Sequence, residues 1–259
     1  MPAAHLPDDA AEAWELAARA AAGTVPRPAA PFEVVLRPGA LELRAARSAA
    51  AGPGGAPGTR TLVRSAGAAL LSARVELAAA GAGVAVHRVP RPEDPGLLAV
   101  AHPVPTGPDA GLAPLSAVLR PGTPPVTAFA QLPQDVLRRL ARAASAEESA
   151  LVPVQRTDRL ELLARLVPTA WPAGHPGPQA GAGAVLALLV TARDDPLAWL
   201  RAGEALQRVL LEATAHGWAV APLPEAVEEP VVRLRVRSAL SWHAHPQMLL
   251  RLAGPGGGR

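Results

Sequence analysis

From Val185 to Thr191 the chain reads VLALLVT, apolar almost throughout, and the charged turn Arg193-Asp194-Asp195-Pro196 follows at once. A short apolar run closed by turn residues predicts a buried strand. Beyond the turn, Leu200, Gly203, Leu206, Leu210 and Ala213 share one stripe, while Arg201, Glu204, Arg208 and Glu212 fall mostly off it. That spacing predicts an amphipathic helix from about Leu197 to His216. Asp194 or Asp195 suits its N-cap, Pro196 its first position and Gly217 its end. Gly203 lies inside the helix at a cost of about 1 kcal/mol relative to Ala, which predicts a close neighbour.

The same design occurs earlier. Gly67-Ala68-Ala69-Leu70, Glu76, Ala79, Gly81, Val84-Ala85 and Glu93-Asp94-Pro95 parallel Gly203-Glu204-Ala205-Leu206, Glu212, Ala215, Gly217, Val220-Ala221 and Glu228-Glu229-Pro230. The helix spacing agrees in both copies and the acidic-Pro element is offset by one residue. An internal duplication is therefore expected.

The remaining pattern fills in around these two copies. In the first half it predicts an Ala-rich helix over 10–22 carrying Trp14 and a hairpin of Phe32 to Leu36 with Ala40 to Leu43 around Arg37-Pro38-Gly39. A loop over 44–60, a helix over 60–80 and a strand over 84–89 follow. Pro92-Glu93-Asp94-Pro95 reads as the cap of a short helix from Gly96 to Ala99, before a Pro/Gly-rich connection over 102–114. In the second half come a short element at 115–119, helices over 133–144 and 158–167, and a strand over 150–155. After Gly217 a strand over 218–221, a short helix over 230–240 and a strand over 247–252 are expected. Residues 1–114 then form one half, 115–253 the other, and 254–259 a flexible tail.

Composition narrows the chemistry. Hydrophobic residues make up 49% of the 259 but aromatics only 3%, so the core is built from Ala, Leu and Val. Cys, Lys, Tyr, Ile and Asn are absent. Without Cys there is no disulfide, thiol nucleophile or iron–sulfur cluster; without Lys there is no Schiff base and no P-loop lysine. Gly52-Pro53-Gly54-Gly55 is thus a loop, not a phosphate cradle. The pI of about 10.9 accompanies a net charge of only +3. It reflects the lack of Lys, Tyr and Cys, and no clustered basic face points to nucleic acid. The most apolar run, Gly181 to Ala192, is too short to span a bilayer, and MPAAHLPDDAAEAW lacks the features of a signal peptide. A soluble cytoplasmic protein that binds neither nucleic acid nor membrane is expected.

The stretch DDPLAWLRAGEALQRVLLEATAHGWAVAPL from Asp194 to Leu223, with the later QMLLRL and the earlier SAGAALLSARVELAAAGAGVAV, resembles the Acg-like actinobacterial branch of the nitroreductase superfamily. The resemblance implies an α+β, nitroreductase-like fold whose two related halves are fused into a single-chain pseudo-dimer, either monomeric or paired as a homodimer. It also implies FMN at the interface of the halves, NAD(P)H as electron donor and a small-molecule acceptor, with the flavin performing the chemistry.

The family's His-Asn-x-Gln-Pro-Trp-like motif falls here on Arg27-Pro28-Ala29-Ala30-Pro31-Phe32, without either amide. Its Arg-Arg-x-Thr-Asn-Arg motif falls on Arg120-Pro121-Gly122-Thr123-Pro124-Pro125 and keeps only Arg120 and Thr123. The cofactor-binding residues implied are Arg120, Thr123, Arg27 and the backbone N–H groups around Ser65 and Gly67. Each has an ordinary reading as a loop or helix residue. No catalytic residue is identified. His243 and His245 lack a third ligand, so no metal is expected, Trp199 and Trp218 read as packing residues, and Ser65 and Ser72 lack a hydrolase's partners. Two functions follow: an FMN-dependent NAD(P)H:acceptor oxidoreductase with an eroded flavin site, or a non-catalytic relative that sequesters flavin or binds a partner protein.

Overall fold

The computed structural model describes residues 8–24, 32–46, 57–89, 91, 93–119, 132–154, 160, 161, 163, 165, 185–223, 225–239 and 243–253. The chain divides into two compact units, one of residues 1–121 with 195–207 and the other of 122–194 with 208–259.

In the first unit, α1 (Asp8–Gly23), β1 (Phe32–Arg37), β2 (Ala40–Ala45), α2 (Pro57–Ala79), β3 (Gly83–Arg88) and β4 (Leu97–Val104) precede a 3-10 turn, Ala113–Val118. The strands form a four-stranded sheet in the order β1-β2-β4-β3, antiparallel throughout. Gly39, at φ 72°, turns the β1–β2 hairpin, a conformation that glycine adopts without steric cost. Alternation puts Leu41 and Leu43 of β2 and Ala99 and Ala101 of β4 in one core with Trp14, Ala17 and Ala21 of α1 and Leu62, Ala66, Ala69, Leu70, Ala73 and Leu77 of α2. With alanine on so many facing positions, the helices pack through backbone-proximal atoms instead of long side chains.

In the second unit, α3 (Gln134–Ser145) and β5 (Ala150–Val154) come first, and residues Leu160, Glu161, Leu163 and Arg165 are helical. Next are β6 (Val185–Thr191), α4 (Pro196–Ala215), β7 (Ala219–Leu223), two short helices, α5 (Glu225–Glu228) and α6 (Pro230–Ala239), and β8 (His245–Ala253). The strand order is β5-β6-β8-β7, so in both units the first two strands and the last two enclose a long helix and meet through the second and fourth. Strand β6 is buried on both faces, as its unbroken apolar run requires. One face packs Leu186, Leu188 and Val190 against Leu163, Val227 and Val236. The helix α4 begins in the first unit and passes into the second after Gln207.

The parallel between the two long helices extends to their ends. At α2, Gly81 N–H bonds to the Ala78 carbonyl (3.1 Å) and Ala82 N–H to Leu77 (2.8 Å); at α4, Gly217 bonds to Thr214 (3.0 Å) and Trp218 to Ala213 (2.9 Å). Each is a Schellman termination around a left-handed glycine, φ 79° and 73° respectively.

Three expectations are corrected. Residues Gly96 to Ala99 are not a short helix: β4 begins at Leu97, and the Gly96 carbonyl accepts the Ala45 N–H at 2.8 Å. Cross-strand pairing of Leu97 to Ala101 with β2 and of Ala99 to Val104 with β3 overrides the acidic-Pro capping signal. The strand also runs on to Val104 through the expected connection. Pro103 is tolerated because β2 pairing stops at Ala101, leaving Pro103 paired to β3 alone. The loop over 44–60 is shorter than expected, since β2 continues to Ala45 and α2 starts at Pro57; the 158–167 helix is described only at the four residues named, and the 254–259 tail lies outside the described residues.

Where β2 meets β4 the register shifts between Leu43 and Arg44, and Arg44 bridges Asp94 at 2.6 Å and Glu42 at 3.2 Å. The hydrogen bond from Arg44 holds the Asp94 carboxyl below its ordinary value of 3.8. A carboxylate with a depressed folded pKa contributes stability above its unfolded pKa, and that contribution is lost as pH falls through the folded value. Asp94→Asn is expected to lower the urea midpoint slightly at about pH 6 and to approach the parent chain as the pH falls through the folded value, which lies below 3.8; an offset that stays constant as the pH falls would contradict this.

Candidate functional site

Asp195 caps α4: its carboxylate accepts the Ala198 N–H at 2.9 Å, and Pro196 takes the first helical position, where no N–H is needed. The helix meets α2 through the two glycines singled out by the repeat. A Cβ on Gly67 would collide with the Leu200 carbonyl and stand 3.1 Å from the Glu204 nitrogen; one on Gly203 would collide with the Arg64 carbonyl and stand 3.0 Å from the Ala68 nitrogen. Arg64 and Ala68 hold the same places relative to Gly67 as Leu200 and Glu204 hold relative to Gly203. The crossing is therefore reciprocal, each backbone seated in the gap left by the other's missing side chain.

Backbone contact brings Glu204 inside with Gly203. Although the periodicity sets it mostly off the apolar stripe, its side chain is 0% exposed. Arg88, at the end of β3, reaches both carboxylate oxygens, with Nε to Oε2 at 2.6 Å and Nη2 to Oε1 at 2.9 Å, and Arg74 of α2 adds Nη1 to Oε1 at 2.7 Å. Such a charge-assisted fork compensates the desolvation of a buried carboxylate. Next to it, buried Ser72 bonds the Ala68 carbonyl at 3.2 Å, and its hydroxyl lies 2.7 Å from Thr24 Oγ1 and 3.1 Å from Gln207 Nε2. In the second unit, Arg208 pairs with buried Glu147 at 2.8 Å.

The residues implied as cofactor contacts are not brought together among the described residues. Ser65 and Gly67 lie well inside α2, where backbone N–H groups are bonded to carbonyls four residues earlier. Gly67 serves the helix crossing. Arg27, Arg120 and Thr123 lie outside the described residues. The sequence reading missed Glu204, Arg74 and Arg88, and also Arg60 and Arg64, two buried arginines one turn apart on α2. The available signal was the Gly203-Glu204 pair itself, because a neighbour of a backbone-contact glycine is enclosed by the same approach. Among the described residues no group of three or more His, Asp or Glu side chains is placed to hold a metal, and no helix is long and apolar enough to cross a membrane.

No family model matches the chain. Over 71 residues it is 48% identical to two Mycobacterium tuberculosis proteins, from strains CDC 1551 and H37Rv, each named "Putative NAD(P)H nitroreductase". The match spans 27% of this chain and 21% of each relative. Among solved structures, a nitroreductase from B. subtilis is 15% identical with a TM-score of 0.39, covering 51% of this chain and 63% of that one. An NADPH:FMN oxidoreductase from Vibrio harveyi complexed with NAD+ is 13% identical with a TM-score of 0.40, covering 51% and 64%. A nitroreductase with bound FMN from Bacteroides fragilis is 18% identical with a TM-score of 0.40, covering 58% and 91%. Likenesses this distant define neither cofactor nor reaction for this chain.

Two substitutions probe the crossing and its charge. By helix propensity alone, Gly203→Ala stabilises by about 1 kcal/mol. The collision with the Arg64 carbonyl reverses that sign, and a loss of about 2–3 kcal/mol in urea unfolding is expected. Glu204→Gln leaves two guanidinium groups facing a neutral amide, and a loss of about 3 kcal/mol is expected; a change of less than about 1 kcal/mol would show that the ion cluster is not needed to hold the helices.

Proposed function

We propose that this chain, which its 71-residue match relates to the nitroreductase superfamily, is a flavoprotein of the NAD(P)H:acceptor oxidoreductase class. FMN would be its cofactor and a small molecule its acceptor. The observation that carries the reading is the 48% identity over that segment to proteins named as NAD(P)H nitroreductases. Within the superfamily we assign the chain to the Acg-like branch, as a fused pseudo-dimer acting in the cytoplasm. The shared strand order of the two sheets and the reciprocal glycine crossing support the pseudo-dimer part of this reading. Reciprocal contact is the mark of an isologous interface, and here both partners lie on one chain.

The described residues do not fit FMN at the positions the resemblance implies. The amides of Ser65 and Gly67 are committed within α2, and the space beside Gly67 is filled by α4 backbone. Cofactor contact therefore rests on Arg120 and Arg27 as cations for a phosphate and on Thr123 as a hydroxyl donor. No catalytic step is assigned to a side chain. When bound, FMN supplies hydride exchange, and the protein's part is to bind and orient it.

The committed helix amides, with the amide residues missing from Arg27 to Phe32 and from Arg120 to Pro125, favour a second reading. In it the chain is a non-catalytic relative that sequesters flavin or binds a partner. The test is a visible spectrum of the purified chain before and after incubation with FMN and desalting. The first reading predicts a retained flavin band, NAD(P)H oxidation by the loaded protein, and weaker retention after Arg120→Ala. A retained band without turnover would favour sequestration. No band at saturating FMN would overturn the flavoprotein reading.

A further inference from the structure

Val86 of β3 and Ala101 of β4 pack into the core of the first unit, so their chain neighbours His87 and His102 stand on the opposite face of the sheet. His102 is paired with Ala85, two residues before His87, which makes the two histidines diagonal neighbours across adjacent strands. Their rings lie face to face, with centroids 4.9 Å apart and planes 11° from parallel. His87 is exposed and His102 half-buried. Among the described residues neither imidazole has a hydrogen-bond or ion-pair partner. Both histidines belong to the first unit.

Two adjacent imidazoles with uncommitted nitrogens are a ligand pair for a transition-metal ion. A zinc–nitrogen bond is about 2.0–2.1 Å, so two nitrogens on one ion stand no more than about 4.2 Å apart. Rings with centroids at 4.9 Å bring one nitrogen each to that span by turning about their Cβ–Cγ bonds, and the exposed His87 has room to turn. The rest of the face selects the class of ion. Glu42 lies in the same cross-strand row, opposite Val100, which is itself opposite His87. Its Oε2 is engaged by Arg44 at 3.2 Å and faces Arg37 at 3.9 Å. The pair therefore offers nitrogen without a spare carboxylate, which suits zinc, copper or nickel and not magnesium or calcium. With two protein ligands, water fills the remaining positions, unlike the closed set of a structural zinc. We propose that His87 and His102 form an exchangeable site for one divalent transition-metal ion, which when bound ties β3 to β4. Strand β3 is at the edge of the sheet order β1-β2-β4-β3 and carries Arg88 to Glu204, so the ion would secure the strand that supplies this cation. The proposal is independent of the flavin.

The test is a titration of the full chain with zinc chloride at neutral pH, read from the imidazole chemical shifts of its seven histidines, with magnesium chloride as the control for an oxygen-seeking ion. The His87 and His102 resonances are expected to move together to saturation with one common midpoint, to return when EDTA is added, and to ignore magnesium. His87→Gln and His102→Gln each remove one ligand from the face away from the core. Each is expected to weaken zinc at the remaining histidine at least about tenfold. Zinc is also expected to raise the thermal midpoint of the parent chain by more than that of either variant. Saturation of one histidine without the other, unchanged zinc affinity in either variant, or no saturable shift at the pair would each overturn the proposal.

Discussion

The structure depends on two helices touching through backbone. Where Gly67 of α2 and Gly203 of α4 cross, each glycine accommodates the carbonyl of the other helix, and there is no room at either position for a methyl group. Glycine inside a helix is unfavourable in isolation, so the crossing is stable because of what the close approach permits. Leu200 enters the core of the first unit, and the neighbouring Glu204 is enclosed with it. An enclosed carboxylate requires cations, which Arg74 and Arg88 provide. Core and ion cluster follow from one spacing constraint.

The two parallel segments share their backbone geometry and differ in their chemistry. The Schellman ends match bond for bond, the strand orders match, and the glycines match. The side chains at equivalent places do not. Ala68 stands where the second copy has Glu204, and Ser72, in a neutral hydrogen-bonded group with Thr24 and Gln207, stands where the second copy has Arg208 paired to Glu147. Packing geometry constrains the small residues most tightly, because no other side chain fits. The polar positions are free to diverge as long as each buried group retains a partner.

This difference explains what was legible in the sequence. The strand from Val185 to Thr191 and the helix after it were legible almost to the residue, because one carries an unbroken apolar run and the other an aspartate cap, an N1 proline and a terminal glycine. The parallel spacing of the two long helices was legible because its markers are glycines. The start of β4 was not. Pro92 to Pro95 resembles a helix cap locally, and only cross-strand pairing with Leu43 and Arg44 decides otherwise. The burial of Glu204 was hidden because a helical pattern assigns faces one helix at a time, and this face is made by a second helix distant in sequence. Of the candidate site, Ser65 and Gly67 had the right element and a different task, while Arg27, Arg120 and Thr123 lie outside the described residues.

Native-state hydrogen exchange across α2 and the first part of α4 tests this dependence most directly, since it reports which amides open only with the whole fold. If the reciprocal crossing holds the structure together, amides from Ala66 to Ala73 and from Leu200 to Gln207 exchange last, and with a common free energy equal to that of global unfolding. Exchange of the α4 segment through a separate, lower-energy opening while α2 stays protected would contradict it, and would place the organising interaction elsewhere in the core.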